Sequence, residues 1–426
     1  MYPFTQKKLG TLFLYITTLL FLTAALIRYR IYLYNDFNVY WASAKSVSQG
    51  SSAYVLLMPD APYVNGPLLS ILFAPFSNIN SQVAFCAWFI LSVVFLYLSS
   101  YMICKRFFIG HSAPQISSVF SLLAISYPVR HSLALGQIVP LALFLIVVMF
   151  IYNEATWKNW VSWVASFSLV FAFELKPYLV IFAILFLVVK RKYLFLLQSF
   201  IIILCLNALY FVSFNHSSWM DWYKAIRERS NGLTGDPTQS SLLGLLHNNT
   251  SMNDKAEILI FAFSIIVLFY VTMRTWSRLS TSFQFLTIMS LGPIISPYSH
   301  EQDFIFSAIV AIVVLLKVNL VLEDRFLITA ILCLMLNISS TEFIKSVFVV
   351  TCFLVILYFS SISVTVSQLL FIAISVFVLQ IIPQFLDASL TSGQQLQLPK
   401  IICLILGYLC WCAPIYFARK PNKPLA

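Results

Sequence analysis

Charged residues are scarce in this sequence, and their scarcity narrows the classes of protein to which it can belong. Only 10% of the 426 residues are Asp, Glu, Lys or Arg, whereas soluble domains carry about a quarter. The chain lacks HExxH, P-loop, GxSxG and EF-hand patterns, and its cysteines form no CxxC pair with metal-ligand spacing. We therefore expect neither a bound metal nor a cofactor.

Long apolar runs make up most of the chain. Hydrophobic residues account for 60% of it, with 39 Phe and 21 Tyr, and the mean hydropathy is +0.89. A helix needs about 20 apolar residues to cross the hydrocarbon core, so the runs predict an all-α, polytopic membrane protein with about 11–14 transmembrane helices. The runs lie near residues 10–28, 82–103, 115–127, 137–152, 160–174, 177–190, 193–213, 257–273, 283–296, 304–318, 326–338, 344–358, 363–383 and 400–417.

Basic residues are distributed unevenly along the chain. A net charge of +11 would suggest nucleic acid in a soluble protein, but no basic stripe interleaved with aromatics lies outside the apolar runs, so we expect no nucleic-acid partner. Lys and Arg beside spans collect on the cytoplasmic side of a membrane. If Lys7 and Lys8 are cytoplasmic, alternation places the polar segments 29–81 and 214–256 on the other side. The basic clusters that then share the cytoplasmic side are Lys105–Arg106, Lys190–Arg191–Lys192, Arg274 with Arg278, and Arg419–Lys420.

The first polar segment, residues 29–81, predicts a short helix that begins near Asp36. Phe37, Tyr40 and Trp41 follow helical spacing and predict an amphipathic helix lying in the membrane interface, and Gly50 suits its end. Asp36 has two interpretations, which can coexist. It can cap the helix, or it can be a carboxylate at the mouth of a membrane cavity that takes a proton from a hydroxyl.

Polar residues also gather at span ends on the predicted non-cytoplasmic side. Ionisable groups near the bilayer often mark substrate paths, although each has a structural alternative, such as pairing of Lys176 with Glu174 or snorkelling to the interface. An anionic lipid headgroup would give them a common purpose, because basic side chains form charge-assisted hydrogen bonds with phosphate. The residues concerned are Arg28, Arg30, Arg130, Lys176, Arg227 and His300.

The order of five short motifs resembles that of a known family. Together they resemble the polytopic glycosyltransferases of the GT-C superfamily, specifically family 87, which includes polyprenyl-phosphate-mannose-dependent mannosyltransferases. The resemblance covers residues 10–320, and further transmembrane helices follow at 321–426 within a single integral membrane domain, 1–426. The motifs are Asp-Phe-x-x-Tyr (Asp36–Tyr40), Gly136-Gln137, Lys176-Pro177, Gln239-Ser240 and Ser-Pro-Tyr-Ser-His-x-x-Asp (Ser296–Asp303).

The resemblance implies a GT-C-like bundle and an inverting transfer of sugar, with mannose favoured, from a polyprenyl phosphate outside the cytoplasm. Asp36 is then the base that deprotonates the acceptor hydroxyl, and no metal is expected. Residues assigned to the donor phosphate and sugar are Lys176, His300, Gln239, Arg130, His131, Gln137, Tyr178, Arg28 and Arg227. Residues assigned to the acceptor or the cavity are Tyr40, Trp41, Glu174, Tyr298 and Asp303.

Two features differ from the pattern of the family. The expected aromatic-proline junction reads Val64-Asn65-Gly66-Pro67, and Gln302 and Asp303 stand where many relatives carry a late histidine pair. These differences leave the role of Asp303 and the identity of the sugar open: mannose, glucose or a pentose. A lipid-linked glycan, a lipopolysaccharide precursor and a glycolipid all fit as acceptors.

Two other classes of membrane protein fit the hydropathy. A transporter or flippase for a lipid-linked sugar would often contain inverted repeats with Gly/Pro-broken spans, and the sequence contains no such symmetry. A membrane acyltransferase needs a His-Asp pair, which His300 and Asp303 allow. If the chain is a glycosyltransferase, we expect it to be a multi-pass protein of a bacterial plasma (inner) membrane, with its active site facing the periplasm or exterior. Its expected partners are the lipid bilayer, the donor and the acceptor.

Overall fold

The regular secondary structure of the described residues is helical, as the apolar runs predict. The computed structural model describes residues 36–54, 63–107, 113–153, 159–214, 218–233, 254–277, 279–296 and 300–317, with single positions between 12 and 27, at 243 and between 405 and 413. The helices are α1 (Asp36–Ser48), α2 (Pro67–Phe73), α3 (Ser81–Phe107), α4 (Ala113–Ile125), α5 (Tyr127–Leu135), α6 (Val139–Tyr152), α7 (Trp160–Leu175), α8 (Pro177–Val189), α9 (Tyr193–Phe214), α10 (Ser218–Leu233), α11 (Asp254–Trp276), α12 (Thr281–Ile295) and α13 (Ile305–Lys317). Two 3₁₀ turns, Ala74–Asn78 and Glu301–Phe304, precede α3 and α13.

Three described helices, α3, α9 and α11, are long and apolar enough to cross a membrane. Large apolar side chains project from α9 and α11, among them Val212 (81% exposed) and Leu259 (69% exposed). Apolar surface of this extent is unfavourable in water and favourable in lipid, which confirms a polytopic membrane protein. The predicted total of 11–14 spans includes runs at 326–338, 344–358 and 363–383, which lie outside the described residues.

Contacts divide the described residues into two compact units. One, the Asp36 unit, is built from residues within 26–102 and 132–236, and the other, the His300 unit, from residues within 1–25, 103–131 and 237–426. In the His300 unit, α13 packs against α4 and α12. A hydrogen bond of 2.7 Å from Thr18 Oγ1 to Ser121 Oγ ties the first apolar segment to α4.

An aromatic cluster organises the Asp36 unit around α1 and α2. The Phe37 and Phe73 rings have centroids 5.9 Å apart, and Trp88 lies 4.6 Å from Phe73. Because α2 supplies an adjoining apolar surface, Phe37 and Tyr40 are buried in protein, whereas the sequence placed them among lipid headgroups. The helix predicted after Asp36 is confirmed, and so is its termination at Gly50, which has a φ of +77°.

The chain forms helices at two places where the sequence predicted only polar connections. One is α5, whose Pro128 falls in the first turn, where a missing N–H costs no helical hydrogen bond. The other is α10, an amphipathic helix with Trp222 buried and Tyr223 60% exposed. Both helices gain stability from packing of one face, which a search for continuous apolar runs does not detect.

Candidate active site

The Gly136-Gln137 pair ends α5 in a way that fixes the position of the glutamine. Gly136 has a φ of +67° and its N–H donates to Leu133 O (3.1 Å), while the N–H of Gln137 donates to Ser132 O (2.9 Å). This pair of bonds is a Schellman motif, which favours glycine in the left-handed position. The next residue, Gln137, is thereby held rigidly at the turn into α6, and α5 and α6 meet at 119°.

Glycine is also required at this position because α1 lies directly against it. A Cβ at Gly136 would lie 2.6 Å from the Cβ of Phe37 and 3.0 Å from the Phe85 ring. Trp88 Nε1 donates to Gly136 O over 3.0 Å and holds the turn from the other side. The close approach brings the start of α1 within reach of the Gln137 side chain.

Asp36 is the first residue of α1, is partly exposed and meets Gln137 across this contact. The Gln137 Nε2 donates a hydrogen bond to Asp36 Oδ2. Tyr40 Oη donates to Gln137 Oε1 over 3.1 Å. Asp36 is thus partly exposed and is held by a buried amide, an arrangement that a general base requires.

We predict that Gly136→Ala destabilises the protein by about 2–5 kcal/mol, because the left-handed conformation costs about 1–2 kcal/mol and overpacking about 1–3 kcal/mol. The midpoint of unfolding in detergent measures this effect. Gly50→Ala is the matched control, since Gly50 ends α1 with the same two hydrogen bonds but has no atom within 4 Å of an added Cβ. An equal loss of stability in the two variants would contradict the close approach of α1 to Gly136.

Lys176 lies at the break between α7 and α8. Pro177 has no N–H and disfavours helical backbone in the residue before it, so Lys176 adopts φ −148° and ψ 76°. The side chain is 6% exposed, and its Nζ donates to Tyr178 Oη over 2.8 Å. The sequence left open a pairing of Lys176 with Glu174, whereas the structure brings the ammonium to this phenol, where it can bind a phosphate oxygen.

Glu174 is almost fully buried, with 1% of its surface exposed. Its backbone carbonyl accepts from Gly66 N over 2.8 Å, and an added Cβ at Gly66 would lie 2.0 Å from Glu174 Oε2. Among the described residues Oε2 has no hydrogen-bond partner. The contact joins α7 to the start of α2, and α2 in turn packs on α1. The residues from Val64 to Phe73 thus form a linking segment between the helix that ends before Lys176 and the helix that begins at Asp36.

Three aromatic side chains hold this linking segment by its backbone carbonyls. Trp222 Nε1 donates to Val64 O (2.9 Å), Tyr54 Oη to Asn65 O (2.8 Å) and Tyr63 Oη to Gly66 O (2.6 Å). Burial raises the pKa of both tyrosines, so their phenols keep the protons that they donate. No local pattern predicts the bond from Trp222, because this residue lies 158 positions from Val64 along the chain.

Four predicted site residues fall in the described part of the His300 unit, each with a local contact. The N–H of His300 donates to Asp303 Oδ2 over 3.0 Å, so His300 and Asp303 form a capping box at the turn before α13. His131 stacks on the ring of Tyr127 with 5.4 Å between centroids. In the same unit the guanidinium of Arg130 lies 5.6 Å from the centroid of Phe21.

Of the remaining predicted site residues, two belong to α1 and α10 and three lie outside the described residues. Trp41 Nε1 donates to Phe76 O over 2.9 Å, which fastens α1 to the 3₁₀ turn. Arg227 is exposed on α10. Arg28, Gln239 and Tyr298 lie outside the described residues.

Comparison with known proteins supports a transferase. The family model for Glycosyltransferase family 87 matches residues 63–297, more than half of the chain. Gln137, Glu174 and Lys176 lie within the matched range, Asp36 precedes it and His300 follows it. No curated protein and no solved structure matches the chain.

Proposed function

The chain belongs to glycosyltransferase family 87, and on that premise we propose that it moves a hexose, with mannose favoured, from a polyprenyl-phosphate donor to a hydroxyl of a glycan or glycolipid. Asp36 is the base, and the transfer inverts the anomeric carbon. The reaction takes place at the non-cytoplasmic face, in the plasma (inner) membrane of a bacterium. Family membership favours this function over the transporter and acyltransferase alternatives.

The geometry of Asp36 is the observation that carries the proposal. Asp36 is partly exposed at the start of α1, while Gln137, whose amide donates to it, is 4% exposed. A base needs access to the acceptor hydroxyl on one side and a rigid support on the other. Asp36 has both.

The proposed transfer is a direct displacement at the anomeric carbon. The acceptor oxygen forms a bond with this carbon, the proton of the acceptor hydroxyl passes to Asp36, and the bond between the carbon and the phosphate oxygen breaks. The electron pair of that bond leaves with polyprenyl phosphate. A phosphate of this kind is a weak base, so the step needs charge stabilisation and no proton donor.

We assign the stabilisation of the leaving phosphate first to Lys176. Its ammonium is buried beside the Tyr178 hydroxyl, and charge-assisted hydrogen bonds of this kind are about twice as strong as neutral ones. The α2 segment connects the helix of Lys176 to the helix of Asp36, which supports a common site. The donor roles of Arg28, Arg130, His131, Arg227, Gln239 and His300 stay predictions.

A panel of donors tests the proposal. In proteoliposomes we expect transfer from polyprenyl-phosphate mannose, with slower transfer from the glucose or pentose analogue and none from a nucleotide sugar. We expect the rate of transfer in EDTA to stay within about twofold of the rate without it, because basic side chains neutralise a single phosphate. Transfer from the nucleotide sugar, or loss of activity in EDTA that Mg²⁺ or Mn²⁺ restores, would contradict the proposed donor chemistry.

A further inference from the structure

Both ends of the Gln137 amide are hydrogen-bonded to α1. The Nε2 donates to Asp36 Oδ2, which lies 101 residues away in the sequence, and the Oε1 accepts from Tyr40 Oη over 3.1 Å. An ionised carboxylate can only accept, so the nitrogen of the amide has to face Asp36 and the oxygen has to face Tyr40. The hydrogen bonds therefore run in one direction, from Tyr40 through Gln137 to Asp36.

This chain of hydrogen bonds is shielded from water behind the carboxylate. Gln137 is 4% exposed and Tyr40 is 6% exposed, whereas Asp36 is partly exposed. Hydrogen bonds in a low-dielectric interior are electrostatically stronger and polarise one another. Gln137 and Tyr40 thus form the hydrogen-bonded support on the side of Asp36 that faces the protein.

We infer that Gln137 and Tyr40 are positioning residues for the base, an inference that rests on the proposed role of Asp36. The amide of Gln137 favours the ionised, proton-accepting form of the carboxylate and limits its rotation. Tyr40 holds the amide in the orientation that donates. This role differs from the donor-binding role predicted for Gln137 from the sequence, and it gives the Gly136-Gln137 pair a physical purpose.

The side chain of glutamine suits this role for two reasons. Asp36 and Tyr40 are four residues apart on α1, so their side chains project from one face of the helix, and an amide opposite that face reaches both. Glutamate has the same shape but no donor, and its charge would repel Asp36. Leucine has a similar size and can form neither hydrogen bond.

Steady-state kinetics of Gln137→Leu test the inference. We expect kcat to fall about 10- to 100-fold, the effect of losing a hydrogen bond to a charged group, with the KM for the donor within about twofold of wild type. We also expect the acid limb of the pH–rate profile to move to higher pH, because the lost bond no longer favours the ionised carboxylate. Gln137→Glu should lose at least as much kcat, and Tyr40→Phe should lose less, about 3- to 10-fold.

Gln198→Leu is the matched control. Gln198 is also 4% exposed in the Asp36 unit, and its Oε1 accepts from Ser162 Oγ (2.8 Å) and Ser166 Oγ (3.2 Å). It has the same residue type and burial as Gln137, and these hydrogen bonds join it to α7 and not to Asp36. We expect its kcat and its pH profile to match those of the wild type, even if its stability falls.

A double-mutant cycle of thermal unfolding tests the contact between Asp36 and Gln137 without any sugar transfer. Asp36→Ala and Gln137→Leu should lower the unfolding midpoint in detergent by less in combination than the sum of the two separate shifts, because both remove the same hydrogen bond. Additive shifts would overturn the inference. This measurement tests the contact between Asp36 and Gln137 even if no polyprenyl-phosphate sugar is a donor and the proposed function fails.

The kinetic outcomes separate the alternatives. A raised donor KM with unchanged kcat in Gln137→Leu would make the residue a donor ligand and overturn the positioning role. Wild-type kcat and pH profile in that variant, together with an inactive Asp36→Asn, would overturn the inference and leave the proposed function intact. A fully active Asp36→Asn would overturn both.

Discussion

Asp36→Asn is expected to lower kcat about 10²- to 10⁴-fold, the contribution of a positioned general base. Asparagine has almost the same shape as aspartate, and its amide oxygen can still accept from Gln137 Nε2, so α1 should keep its place. What the variant loses is the ability to take a proton from the acceptor hydroxyl. Transfer of labelled sugar in proteoliposomes measures the rate, and equilibrium binding of the polyprenyl-phosphate donor shows whether the donor site is intact.

Asp221→Asn is the matched control for the base. Asp221 belongs to α10 in the same unit, is partly exposed like Asp36, and its Oδ2 accepts from Ser52 Oγ over 3.1 Å. We assign it no part in the reaction, so its kcat should stay within about twofold of wild type, as for most substitutions away from a site. Equal losses in the two variants would indicate a general effect of removing a carboxylate, and the assignment of Asp36 would then be wrong.

Lys176→Met is expected to lower kcat/KM for the donor about 10- to 100-fold, the effect of losing a charge-assisted hydrogen bond. Methionine keeps a long apolar side chain and packs adaptably, so the break between α7 and α8 should persist. The loss should appear in kcat, since the ammonium is proposed to stabilise the phosphate as it leaves, whereas a residue that only binds the donor would raise the KM for the donor and leave kcat unchanged. Initial rates at varied donor and acceptor concentrations separate the two.

The other end of α8 supplies the control for Lys176. Lys190 follows the last turn of the helix, with its Nζ 5.9 Å from the centroid of Phe186, and the basic-cluster pattern predicts that it lies on the cytoplasmic side. Lys190→Met removes the same charge from the same helix and should leave kcat/KM unchanged. If the two variants lost the same activity, Lys176 would have no specific role at the donor phosphate.

The helices and their ends could be read from local sequence to a large degree. The run at 193–213 became α9 (Tyr193–Phe214), and the Lys176-Pro177 pair separates α7 from α8 as the chemistry of proline requires. The prediction from sequence was wrong where one face of a helix is polar. The sequence predicts polar connections at α5 and α10, because the stability of these helices depends on packing partners that a local pattern does not contain.

Within the candidate site, the sequence singled out residues but not their contacts. The sequence marks Asp36 as an acidic residue after an apolar run, and it marks Gln137 through the Gly136-Gln137 pair that resembles a motif of the family. The hydrogen bond between them spans 101 residues. No periodicity or spacing of the sequence carries information on such a pair.

The sequence by itself determined that the chain is an all-α membrane protein, because a 60% hydrophobic chain with 10% charge has to place long helices in lipid. It also determined the helix end at Gly50 and the break at Pro177, since those limits come from the residue's own backbone. Only the tertiary structure decided that α1 packs against Gly136 and that Gln137 and Tyr40 meet at Asp36. The reason is physical: helix formation depends on neighbours within a few residues, whereas the contacts of a site depend on which surfaces fit when distant helices pack.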